Sequence, residues 1–558
     1  MLIAIYTDIN IFMEVARMYV EEIKKKSNGK KYSTYLIRES FKKDGKVKHR
    51  KIANITKLPI ELISFIKKFL RDKSGNFTYE EIEDGATYEY GASAALLALA
   101  QDIGLDKTIY SKKTKWRENA LAMIIGRIIY QGSKLSLVNT YKDTFLWKLC
   151  GHELSERPNV NTDCYLTMDM LLERKSKIEK KLAKQHLSDG QMILYDMTNT
   201  WLEGKYDNSE IASYGKSKGG KKGYKIIALG LITDKRGCPV SVEIFKGSTS
   251  DQTTVFSEVE KLSEKYNLHE VIFTGDRGML TPKKIAEVNQ KGYKTITAVT
   301  HSHIKKLVSK GNIKVEMFKS KTIKEVKDLE DNKVRYILCK SENTMRDERA
   351  TRKGMIKTVT EKLSEKAKVK RKRDKSKTSA SIGRIFEKYK IEKLYNWEVD
   401  DDGKLSWSLK KDVVESEAKL DGCYIIRTET SAEKLSKEDA VLGYRSLQKV
   451  EQAFKNMKTV ALELRPIYHK TDDRLRAHIF LVMLAYYLQW HALQRLQSLF
   501  DSDEKNDKKR WDFHTVITRL QSIRKIEKII NGVVVKHTTS RPDEEQLEIL
   551  KLLQINIK

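Results

Sequence analysis

The chain has 558 residues, and its 107 Lys and Arg against 76 Asp and Glu leave a formal charge of +31. That length exceeds one hydrophobic core, and the surplus of cations steers the protein toward a polyanion, nucleic acid above all, with an acidic membrane surface as the competing partner. No segment suits insertion into a bilayer: the best apolar run, Ile479 to Leu488, is ten residues, whereas a span needs about 20. The first 19 residues interleave Asp8, Glu14 and Arg17 with apolar residues and lack a small-residue cleavage site, so the expected compartment is the cytoplasm, in association with the nucleoid. Five scattered cysteines without a C-x-x-C pair argue against a zinc site and a disulfide framework, and read as buried thiols.

Met18-Tyr19-Val20-Glu21 leads into the first regular segment, so Met18 reads as the biological start and Met1 to Arg17 as dispensable, the other reading being a packed N-terminal helix. Tyr32 to Ile55 alternates apolar and polar residues around Asp44-Gly45, the signal of a β-hairpin. Its exposed face carries Arg38, Lys42, Lys46, Lys48, His49, Arg50 and Lys51, which suits a DNA backbone or simply a solvated face. Helices are expected over Pro59–Arg71, Gly91–Ile103 and Trp116–Gln131 from their apolar spacing. The segment before about 188 therefore reads as a largely helical, basic DNA-binding region.

From Gln191 the pattern changes to strands: Met192 to Tyr195 ending at Asp196, then Tyr224–Thr233 and Pro239–Phe245 around the turn Asp234-Lys235-Arg236-Gly237. A helix over Asp251–Tyr266, a strand over Val271–Gly275 ending at Asp276, a helix over Pro282–Gln290 and a strand over Lys294–Val299 complete an α/β pattern. Both aspartates are expected at C-terminal ends of strands, where α/β sheets place functional groups. From His301 to Lys419 the chain reads as an insertion, with strand signals at Val334–Leu338 and, beyond it, at Cys423–Thr428. Lys362 to Lys377 holds nine basic and two acidic residues, a composition that cannot form a core and suits a helix extension or a disordered loop. Trp397 and Trp407 are either core residues or stacking platforms for an unpaired base.

Ser436, with Asp439 three residues on, caps a helix that carries Glu451. Tyr444, Glu451 and Lys458 follow one another at steps of seven, so they share one helix face, drifting about 20° per step. Leu447, Val450, Phe454 and Met457 form the apolar stripe. An apolar helix runs from Arg474 to about Leu496, and His469 and His478 read as hydrogen-bonded structural histidines. Gly219-Gly220-Lys221-Lys222-Gly223 lacks the spacing of a phosphate loop and reads as a basic hairpin entry. Asp196, Asp276 and Glu451 together offer hard oxygen ligands suited to two Mg²⁺ or Mn²⁺ ions.

These contexts resemble the DDE transposases of bacterial insertion sequences, in the branch with a Tyr-Arg-Glu-Lys signature. Tyr195-Asp196-Met197-Thr198 is similar to the first-aspartate strand, Gly247 to Thr254 to the stretch after the third strand with Ser248 in place of Asn, and Gly275 to Met279 to the second-aspartate motif. Tyr444, Glu451 and Lys458 fit the signature; its arginine position is Leu447, and Arg445, about 120° around the helix, is no simple substitute. Leu462 to His469 and Arg476-Ala477-His478 resemble the segment downstream.

The resemblance implies a multidomain α/β protein: a ribonuclease-H-like catalytic domain interrupted by a large insertion, after a mainly helical DNA-binding region with a basic β-hairpin. The expected divisions are 1–75, 76–188, 189–300, 301–420, 421–500 and 501–558, with the catalytic domain split between the third and fifth. It implies Asp196, Asp276 and Glu451 as catalytic metal ligands, and Tyr444, Lys458 and Arg277 as DNA contacts. The partners would be double-stranded DNA, as element ends and target, and further copies of the chain in a synaptic complex. The activity would be end cleavage and strand transfer; a nuclease without strand transfer and a non-catalytic DNA-binding derivative are the alternatives.

Overall fold

The computed structural model describes residues 18–27, 30–43, 46–71, 82–318, 322–369, 371–460, 462–505, 510–530 and 533–557. Met1 to Arg17 and the Asp44-Gly45 turn lie outside them. The chain forms two compact units, one of Met1–Leu99, Leu135–Pro158 and Arg495–Lys558, the other of Ala100–Lys134 and Asn159–Gln494.

In the first unit β1 (Met18–Ser27), β2 (Lys30–Lys43) and β3 (Lys46–Asn54) form an antiparallel sheet. The expected hairpin is β2–β3, with Lys43 opposite Lys46; β1 adds a strand that local pattern does not mark. The following helix, Ile60–Arg71, packs with Val20, Ile55 and Ile63 into a small core. β3 is exposed over Lys46 to Ile52, so its basic run faces solvent on both sides of the strand. Arg38 does not: it is half-buried and paired with Glu21 at 2.8 Å. A strand also interrupts the expected helical region, β4 (Ile82–Glu89). The helices at Gly91–Asp102 and Lys115–Ile129 stand within a residue or two of expectation. The second is buried over nearly its whole surface, its polar residues included, Arg117 pairing with Glu118 at 2.7 Å.

The second unit is built on β5 (Met192–Trp201), β6 (Ile226–Asp234), β7 (Pro239–Lys246), β8 (Ile272–Thr274), β9 (Lys294–Ala298), β10 (Lys324–Lys327), β11 (Arg335–Lys340) and β14 (Cys423–Thr428). The order β10-β11-β14-β9-β8-β5-β6-β7 makes one mixed sheet: β5–β6–β7 is an antiparallel meander, β5–β8–β9 is parallel, and β9–β14–β11–β10 is antiparallel again. Every residue of β6 is buried, the pattern of a strand covered on both faces. Lys261, buried beside β7, bridges Glu179 at 3.3 Å and Glu243 at 2.5 Å. This fastens the helix Lys175–His186 and the turn after the helix Asp251–Glu260 onto the sheet.

Two expectations change here. Asp196 is not at a strand end: the parallel pairing of β5 stops at Leu194 opposite Thr274, but antiparallel pairing with β6 carries the strand on to Trp201 opposite Ile226. And the region from 301 is not wholly an insertion, because β10 and β11 extend the main sheet. The part with its own core lies between β11 and β14, where the helices Glu342–Ala367 and Lys375–Tyr389 pack on the hairpin β12 (Tyr395–Val399) and β13 (Leu405–Leu409). Leu363, inside the basic run, is fully buried in that core, so the run does contribute to one. Trp397 and Trp407 are cross-strand partners, each half-buried against the same cluster.

The chain then returns to the first unit, where β15 (Arg524–Ile530) pairs with both β16 (Val533–Thr539) and β4. Among the described residues no single helix is long and apolar enough to cross a membrane. All five cysteines are buried.

Candidate active site

Asp196 is placed by its neighbours in β5. Alternate residues of a strand face opposite ways; Tyr195 turns into the core, where its hydroxyl donates to Thr254 Oγ1 at 2.9 Å. Its ring lies over Gly230 of β6, where a Cβ would come to 2.5 Å from the Tyr195 oxygen. Asp196 thereby faces a cleft of about 1390 Å³. Its Oδ1 accepts from Met197 N at 2.7 Å. Burial pushes its carboxyl up to about 6, with Glu451 and Asp276 adding to the rise and Lys218 opposing it.

Asp276 follows β8 and opens a tight turn in which its carbonyl accepts from Met279 N at 3.0 Å and Leu280 N at 2.9 Å. Arg277, in the same turn, is exposed at the cleft. Glu451 stands exposed on the helix Leu447–Lys455, beside the buried stripe of Leu447, Val450 and Phe454. The expected single helix is two: Lys437–Arg445 ends at Ser446, whose hydroxyl donates to Leu442 O at 2.9 Å, a back-bond of the kind that bends helices. Ser436 does cap the first segment, accepting from Asp439 N at 3.0 Å. Gly443 lets that segment press on the sheet, since a Cβ there would meet the Met192 methyl at 2.2 Å.

The step-of-seven residues still reach one cleft. Tyr444 donates its hydroxyl to Asp276 Oδ1 at 3.4 Å, and burial together with that carboxylate pushes the phenol up to about 12. Lys458 lies in the turn Asn456–Val460; its Nζ donates to Thr198 Oγ1 and, at 2.9 Å, to Asn199 O, both on the Asp196 strand. Burial, then Arg465 and Lys218, lower its ammonium to about 8. Leu447 packs in the core. Arg445 lines the cleft and donates to Tyr424 Oη at 2.7 Å.

Sequence reasoning assigned no role to two further residues of this cleft. Arg465 stacks its guanidinium 3.5 Å from the Trp201 ring centroid, and its buried Nε and Nη1 have no hydrogen-bond acceptor among the described residues. Lys218 donates to Met197 O at 2.8 Å and pairs with Asp251 at 3.0 Å. The signal for Arg465 was its place in Leu-Arg-Pro after the Glu451 helix, and for Lys218 its glycine-rich basic loop. His478 is structural as expected: its ring takes Leu464 O at 3.2 Å and Lys134 Nζ at 2.6 Å.

Three carboxylates from three separate segments thus share a cleft with Tyr, Lys and Arg. Residues 189–488, more than half the chain, match the family described as transposase DDE domain, and residues 20–80 match the IS1634 family transposase N-terminal domain. The chain belongs to the DDE transposases of insertion sequences. No curated protein matches it. A cryo-EM structure of the piggyBac transposase synaptic complex with hairpin DNA is similar at a TM-score of 0.33 and 10% identity, over 77% of this chain and 76% of that one. That likeness is too slight to carry an argument about this transposase.

The donor set fits hard divalent cations. All three candidate ligands are carboxylates, and burial together with Glu451 and Asp276 disfavours the charge on Asp196. Among the described residues their oxygens do not close to within 4.8 Å of one another.

Proposed function

We propose that this transposase binds the terminal inverted repeats of its element, cleaves the DNA at their ends, and joins the exposed 3′ hydroxyl to target DNA. The observation that carries the reading is the convergence of Asp196, Asp276 and Glu451 on one cleft inside the family-matching region. Such a cleft, on a sheet we read as ribonuclease-H-like, suits in-line displacement at phosphorus, with water as first nucleophile and the 3′ oxygen as second.

Asp196, Asp276 and Glu451 would hold two Mg²⁺ or Mn²⁺ ions, which supply activation of the nucleophile and charge neutralisation at the leaving oxygen. Tyr444 orients Asp276 through its hydroxyl and offers its ring edge to the DNA backbone. Lys458 fixes the Asp196 strand through Thr198 and Asn199 and brings a cation beside the scissile phosphate. Arg277, next to Asp276, contacts the backbone as well. Arg465 takes the phosphate-binding role that Leu447 cannot, because its unsatisfied donors require an acceptor from outside the protein. Double-stranded DNA is the partner for both ends and target, and copies of the chain assemble on paired ends in the cytoplasm, at the nucleoid.

The test is a supply of pre-cleaved ends with a free 3′ hydroxyl and a target duplex. Joining supports the reading. Cutting without joining marks a nuclease, and binding without either marks a non-catalytic derivative.

A further inference from the structure

Behind the β5–β6–β7 meander, His186 at the end of the helix Lys175–His186, Cys238 in the β6–β7 turn and His491 on the helix Asp472–Arg495 bring their ligand atoms within 4.8 Å of one another. The three come from elements far apart in sequence, and all lie in the second unit. We infer that they form a site for a borderline-soft divalent cation of the Zn²⁺ class, separate from the carboxylate cleft and independent of its proposed role.

The donor chemistry is the first argument. One thiol and two imidazoles suit zinc and are a poor set for Mg²⁺ or Mn²⁺, which favour oxygen. The second is the wiring of His186. Its Nε2 lies 2.9 Å from Tyr487 Oη, while its buried Nδ1 has no hydrogen-bond partner among the described residues. A ligating histidine shows this division, one nitrogen on the metal and the other donating outward to a fixed acceptor. The third is the support of the turn. Asp234 accepts from Cys238 N at 2.9 Å and from Arg236 N at 2.8 Å, which fixes the loop that presents the thiol.

Bonds of about 2.0–2.3 Å to zinc require ligand atoms roughly 3.3–3.8 Å apart, so the cluster closes by no more than about 1.5 Å on loading. On binding, the thiol proton passes to solvent and the thiolate bonds the cation. The cation would bolt helix, turn and helix together behind the strands that carry Asp196 and its partner β6.

The full-length, metal-stripped chain titrated with Co²⁺ tests this. We expect one tightly held equivalent with a thiolate-to-cobalt charge-transfer band that Asp276→Asn retains, Cys150→Ser retains and Cys238→Ser abolishes. Circular dichroism reports whether each variant is folded. Should Cys238→Ser fail to fold, His491→Gln, which keeps a polar side chain, is expected to weaken cobalt binding by at least about tenfold. Absence of the band from the wild type, its survival in folded Cys238→Ser, or unchanged affinity in His491→Gln would each overturn the site. Cobalt bound without that band, and lost in Asp276→Asn, would place the metal in the carboxylate cleft and overturn the site.

Discussion

Asp196 and Asp276 each stand two residues beyond one matched pair of the parallel ladder, Leu194 opposite Thr274. The register of β5 and β8 therefore carries both carboxylates to the same edge of the sheet. Glu451 joins them from a helix fastened over that edge. A slip of one residue in either strand would turn its aspartate to the other face.

On the proposed reading, in which the three carboxylates act as a unit, Asp196→Asn, Asp276→Asn and Glu451→Gln should each lower end cleavage by several kcal/mol of activation free energy, on the order of 10³-fold. End binding should persist. Gel-shift and cleavage assays on the same DNA separate the two, and any variant cutting at the wild-type rate with Mg²⁺ removes that residue from the triad.

The Asp196 carboxyl, pushed up to about 6 from the usual 3.8, makes a stability prediction for the metal-free protein. Between those values the folded state holds a proton that the unfolded state has lost, so stability falls as pH rises from about 4 to about 6 and the penalty, at most about 3 kcal/mol, persists above. Asp196→Asn should thus raise the metal-free unfolding temperature at pH 7.5, with the gain vanishing toward pH 4. Mn²⁺ should stabilise the wild type more at pH 7.5 than at pH 5. An Asn variant no more stable than wild type at pH 7.5 contradicts the burial argument.

Arg465→Ala should weaken strand transfer by roughly 10- to 100-fold, the worth of about 1.5–3 kcal/mol for a charge-assisted hydrogen bond. Arg465→Lys should recover only part, since an ammonium cannot reproduce the fork or the stacking on Trp201. Equal activity in all three proteins would leave phosphate binding to Arg445 or Arg277.

The exposed β3 cations Lys46, Lys48 and Lys51 should contribute charge rather than sequence reading. Replacing all three with Ala should weaken binding to element ends and random DNA alike, and flatten the salt dependence by about 0.9 in log–log slope for each phosphate no longer neutralised. A selective loss on element ends would instead give this sheet a part in recognition.

What the sequence alone determined is whatever rests on local pattern. Apolar periodicity placed the helices Ile60–Arg71, Gly91–Asp102 and Lys115–Ile129, the start of β5 and the β6–β9 succession within a residue or two, and the contexts of Asp196, Asp276 and Glu451 marked the candidate site without any knowledge of which segments meet. The step of seven linking Tyr444, Glu451 and Lys458 survived even the break at Ser446, because the turn that follows keeps the same side toward the cleft. The tertiary structure decided what depends on partners distant in the chain. β4 pairs with β15, Glu89 opposite Arg524, and no local signal distinguishes a half-exposed strand that awaits such a partner. β5 runs past Asp196 because β6 continues the ladder after β8 has ended. β11 joins the main sheet only through β14, across the whole intervening subdomain. Arg465 and the His186–Cys238–His491 cluster owe their chemistry to proximity in space, which composition and spacing do not encode.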